Sequence, residues 1–99
     1  MSVDVTRGQG ASEAQAAVEM SEKGFTAAAK DYAPSKTEPH RHDYDICLHI
    51  FEGEFRLGLT EEHVVQSYGP GDRLFVPAGT LHFEEHGELR MVVGRRQPV

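Results

Sequence analysis

A single cysteine, Cys47, stands in the 99 residues, so no internal disulfide can form and nothing calls for an oxidising compartment. No apolar run approaches the roughly 18 residues that a membrane-spanning helix needs. Residues 1–10 carry an acidic residue and lack the apolar stretch of a secretory signal. Positive charge is scarce: 10 Lys and Arg against 16 Asp and Glu leave a formal charge of −6. That is the wrong sign for a nucleic acid or an anionic membrane as partner. A chain this short has room for one domain, burying roughly two-thirds of its unfolded surface on folding. These absences describe a soluble, cytoplasmic domain without membrane or nucleic-acid partners. Histidine is what stands out instead, six residues in all.

Residues 1–10 show no sustained period and read as a flexible tail. Residues 11–24 read as a short N-terminal helix. Ser12 is its N-cap, Gln15 stands in capping-box spacing, and Gly24 is the stop. Its stripe of Ala14, Ala17 and Val18 is thin, so the helix is expected to lie on the outside of the rest of the fold. Being single and not basic, it gives no DNA-reading unit. From Phe25 the period turns strand-like, although Ala27–Ala29 also suits a helix. Asp45–Phe51 is an apolar run broken only by His49, and Phe55, Leu57 and Leu59 alternate with Glu54, Arg56 and Gly58. Further short runs occupy 63–68, 73–76, 81–85 and 88–95, separated by turns such as Gly69-Pro70-Gly71-Asp72. This makes about eight short strands, the pattern of an all-β antiparallel sandwich or small barrel. Residues 97–99 are a terminal tail.

His40 and His42 are two positions apart, which on an extended segment turns both imidazoles to one face. Further along, His82, Glu84 and His86 share one face of another strand. Two strands presenting imidazoles inward can converge on a metal, since neutral imidazole serves Zn, Fe, Ni, Cu and Mn alike. Surface histidine pairs are also common, and inward histidines can be no more than hydrogen-bonded polar groups. His49 alternates against Ile46, Leu48 and Ile50, which turns it outward or into a subunit interface. His63, beside Glu61 and Glu62, reads as solvated. Cys47 reads as a small apolar filler, and Tyr44 and Phe83 as residues either of a barrel mouth or of ordinary core.

The run Gly71-Asp-Arg-Leu-Phe-Val-Pro77-Ala-Gly79-Thr-Leu-His82 resembles the second motif of the small single-domain cupins at every fixed position. His40, His42 and Gly53 match the first motif, whose glutamate is missing. Ile46 or Cys47 stands at its place, depending on the direction of counting. The resemblance covers Phe25 to Arg96 and implies a small antiparallel jelly-roll barrel over 25–96 behind the N-terminal helix. It also implies a divalent transition metal (Fe, Mn, Ni or Zn) at the barrel mouth, held by His40, His42 and His82. A fourth ligand is sought in His86, in Glu84, or in Asp45 if a β-bulge shifts its parity.

Open positions on such a metal suit chemistry on a small molecule, dioxygenase-like if the metal is iron. The spacing of Cys47 from His42 touches on the thiol dioxygenases, but Gly53 falls one residue short for them. The alternative is a non-enzymatic cupin that binds or senses a small metabolite, with or without metal. The strand 45–51, apolar on both faces, reads as covered on both sides, so a homodimer is expected.

Overall fold

The computed structural model describes residues 3–98. Met1, Ser2 and Val99, assigned above to the tails, lie outside the described residues. Ser12 opens the helix α1 (Glu13–Glu22) as anticipated: its hydroxyl accepts from the Gln15 N–H at 3.1 Å and its own N–H donates to Gln15 Oε1 at 2.8 Å. This reciprocal pair satisfies two of the donors that a helix start leaves unmet. Gly24, at φ 90°, takes the chain out.

The strands are β1 (Asp4–Thr6), β2 (Thr26–Tyr32), β3 (Ser35–Lys36), β4 (Asp45–Glu52), β5 (Phe55–Leu59), β6 (Val64–Tyr68), β7 (Arg73–Val76), β8 (His82–His86) and β9 (Leu89–Arg96). They form a five-stranded sheet in the order β1-β7-β4-β9-β2 and a four-stranded sheet in the order β3-β8-β5-β6. Every pairing is antiparallel, and the two sheets make the jelly roll. The ambiguous segment over Ala27–Ala29 is strand: pairing with β9 along its whole length outweighs alanine's helical preference. No helix among the described residues is long and apolar enough to cross a membrane.

Inward residues keep the period of two. Leu48 and Ile50 of β4, Phe55 and Leu57 of β5, Leu74 and Val76 of β7 and Met91 of β9 form the buried interior. The opposite face of the five-stranded sheet is buried as well, under α1. Ala16 and Met20 of the helix pack there on Phe25, Cys47 and Val92, with Phe51 and Phe75 alongside. Phe75 therefore belongs beneath the helix and not to the barrel interior. Gly94 makes this docking close, because a side chain there would run into Phe25 and Met20. The two-sided apolar character of β4 is thus met within one chain, by α1.

The N-terminal segment departs from a free tail. Asp4–Thr6 pairs with β7, and the next residues are tied to the Gly69–Asp72 turn. Arg7 reaches the Asp72 carboxylate at 3.1 Å, Gly8 N–H donates to it at 3.3 Å, and Gln9 N–H donates to the Gly71 carbonyl at 2.7 Å. Hydrophobic period is invisible in three residues, and the anchoring is made by backbone and by one carboxylate.

Candidate functional site

His40 reaches its place just past Pro39, on an extended segment between the sheets. Its N–H donates to the His82 carbonyl at 2.9 Å and the His82 N–H returns the bond at 3.0 Å. Gly79 N–H donates to the His42 carbonyl at 2.9 Å. Backbone therefore pins the His40–His42 segment to the Pro77–His82 loop, whose Thr80 hydroxyl closes a turn onto the Pro77 carbonyl at 2.8 Å. Side-chain positions derive from this framework. The ring centres of His40 and His82 are 4.5 Å apart, those of His40 and His42 4.8 Å, and those of His42 and His82 5.4 Å. One nitrogen from each of the three lies within 4.8 Å of the others.

Tautomers are fixed at two of the three. His40 Nδ1 is 2.7 Å from the Glu38 carbonyl and His82 Nδ1 is 2.8 Å from the Thr80 carbonyl. A carbonyl only accepts, so each Nδ1 carries a proton, and in the neutral ring that tautomer leaves the lone pair on Nε2. His42 has no such anchor and stacks on Tyr44, ring centres 4.9 Å apart. Burial above all, then the neighbouring His40 and His82, holds its pKa below the usual imidazole value, with Glu84 pulling the other way. The neutral ring is the form a metal requires.

Beside the three rings lies a cavity of about 280 Å³. Apolar residues line it, Leu48, Phe55, Leu57 and Met91 among them, and so do the polar residues Tyr32, Thr37, Tyr44, Glu84, His86 and Arg95. Glu84 and His86 thus line the space as their shared face with His82 requires, but neither joins the group of converging nitrogens. His86 Nδ1 is 2.7 Å from the Gly87 carbonyl, and its ring stacks on Phe55 with centres 6.0 Å apart.

Asp45 is not brought to the cluster. The register of β4 against β9 is regular from Asp45 to Ile50 and shifts only beyond it, so no bulge turns Asp45 inward. It shares the outer face with Cys47, where its carboxylate accepts from Ala78 N–H at 2.8 Å and from Arg96 at 2.9 Å. Those bonds, the backbone one foremost, hold its pKa below the ordinary carboxylate value. The fourth-ligand role considered for Asp45 is corrected accordingly: the side chain is occupied on the wrong side of the sheet.

The remaining expectations divide. Cys47 is buried, and burial raises its thiol pKa. Tyr44 lines the cavity, whereas Phe83 turns to the far face and lies against Gly58. His63 is exposed. His49 does face away from the interior, yet it is fully buried, with Arg73 Nε donating to its Nδ1 at 3.0 Å and Phe51 stacked on its ring. Tyr32, Thr37 and Arg95 were missed as wall residues. Arg95 was legible in principle, since it continues the inward alternation of Met91 and Val93.

No family model matches the chain, and no curated protein does. Solved structures do. A DUF861-family protein from Thermotoga maritima superposes with a TM-score of 0.67 at 15% identity, over 93% of this chain and 97% of that one. The polyketide cyclase RemF from Streptomyces resistomycificus gives 0.60 at 26% identity, over 72% of this chain and 54% of the other. This chain thus spans about half the cyclase's length. A cupin-2 domain protein from Shewanella frigidimarina gives 0.59 at 15% identity, over 75% and 71%. The two antiparallel sheets, the short helix and these likenesses agree on one architecture: the chain has the fold of a small cupin.

Proposed function

We propose that His40, His42 and His82 hold a divalent transition metal through their Nε2 atoms, and that the adjoining cavity takes a small organic molecule for metal-assisted chemistry. The observation that carries this is the pair of Nδ1 anchors on the Glu38 and Thr80 carbonyls. Ligating histidines are commonly oriented in this way, the outer hydrogen bond fixing the tautomer and raising the basicity of the free nitrogen. One nitrogen of each ring already lies within 4.8 Å of the others, so His40, His42 and His82 are the residues that would hold the metal.

When bound, such a metal supplies Lewis acidity toward an oxygen of the molecule or of water. The protein's own part is to orient and to exclude. Tyr44 braces His42, the apolar lining displaces water, and the polar lining residues meet the molecule's functional groups. With iron the reaction would be dioxygenase-like. The likeness to a polyketide cyclase supports a reaction at carbon as the other class. A lone, buried thiol is consistent with work in the cytoplasm.

Metal analysis of untagged protein tests the proposal. Near-stoichiometric Zn, Fe, Mn or Ni is expected, and its loss in His40→Ala and His82→Ala with far-UV circular dichroism unchanged. Less than about one-tenth equivalent in the parent protein, or full occupancy in both variants, defeats the proposal. Binding without turnover is told apart by a ligand that stabilises the protein equally after chelation and is recovered unchanged.

A further inference from the structure

Six of the arginines are answered by a carboxylate within 3.6 Å: Arg7 by Asp72, Arg41 by Glu61, Arg56 by Glu85, Arg73 by Glu19, Arg90 by Glu13 and Arg96 by Asp45. Arg95 has no such partner among the described residues, and it is the arginine on the wall of the cavity. Its guanidinium stands 5.6 Å from the centre of the Tyr44 ring, which in turn stacks on His42. The other charged wall residue, Glu84, comes from β8 of the opposite sheet and makes no ion pair with it. Both charged residues line the same cavity, together with Tyr32.

We infer that the cavity takes a small monocarboxylic acid with an apolar body, its carboxylate held by Arg95. The inference rests on the cavity being the ligand site proposed above. A guanidinium presents parallel N–H donors that match a carboxylate, and this one is spent on no other carboxylate among the described residues. The Arg95 side chain is exposed and within cation–π range of the Tyr44 ring, a contact that uses the face of the guanidinium and not its N–H donors. Leu48, Phe55, Leu57 and Met91 line the same cavity, and their side chains suit a hydrocarbon body. Glu84 sets the charge away from the histidines: a second anionic group beside it would face a carboxylate, so a monoanion is preferred there.

The test is calorimetric titration of zinc-loaded and chelator-stripped protein with phenylacetate, its neutral amide phenylacetamide and the dianion phenylmalonate. Wild type and Arg95→Gln are compared, with zinc content and thermal unfolding measured on each. Phenylacetate should bind wild type at least about tenfold more tightly than the amide or the dianion. Arg95→Gln should lose that preference while keeping zinc and fold. If Arg95→Gln retains the preference, or wild type shows none, the inference is overturned. A preference that vanishes on stripping and ignores Arg95→Gln belongs to the metal and overturns it too. Failure of zinc to bind while the acid preference and its loss in Arg95→Gln persist removes the metal reading and leaves this one standing.

Discussion

Asp45 illustrates how a single position turns on one bond of parity. An inward Asp45 needs one extra residue in β4 ahead of Leu48; the irregularity lies instead past Ile50, and the carboxylate ends against Ala78 N–H and Arg96. A one-residue slip moves a side chain through the sheet, and nothing in the local sequence announces where it occurs. The consequence is measurable by pH. The folded pKa of Asp45 lies below its unfolded value near 3.9, so its contribution to stability is present above that pH and lost as pH falls through the folded value. Asp45→Asn should therefore unfold at lower urea than wild type at neutral pH, the gap closing as pH drops below about 4. A gap that stays full near pH 2 contradicts this assignment. His40, His42 and His82, by contrast, were legible at the residue scale, because two positions of spacing and a Pro-x-Gly loop carry them without reference to a distant register.

At the scale of elements, α1 was readable from its cap box, and its place on the outside from its thin apolar stripe. What it covers was not readable. The outer face of β4 looked like surface for a second copy, but Met20 and Ala16 fill it from within the chain. A homodimer must therefore draw on other surfaces than β4. Met20 is 2% exposed and packs on Phe25, Cys47 and Val92, so Met20→Ala should cost about 2–5 kcal/mol in denaturant unfolding. Its metal content should stay that of wild type, since the histidines lie on the other side of the sheet; metal lost along with stability would show that helix and site are coupled. β1 escaped the sequence because three residues carry no period, and its pairing is settled by where β7 lies.

For the whole molecule, the jelly roll was legible from strand spacing and turn signals, while the shape of the cavity was not. Tyr32 at the end of β2 and Thr37 just past β3 line it from the two different sheets, a meeting set by global closure. A metal held by His40, His42 and His82 would stabilise the folded state by mass action. At about a hundredfold over its dissociation constant, zinc should raise the melting temperature by roughly 10–20 °C, and the rise should be absent in His82→Ala. Equal shifts in both would place the ion elsewhere. The reciprocal backbone bridge between His40 and His82 has a consequence for how this chain can change over generations. Substitutions around the cavity alter its lining one group at a time. An insertion or deletion of one residue between Pro39 and His42, or between Gly79 and His82, would exchange an imidazole for its neighbour on the opposite face and break the bridge at once. The lengths of these two short segments are therefore more constrained than the identities of most residues on the wall, leaving the wall free to diversify around a fixed triangle of rings.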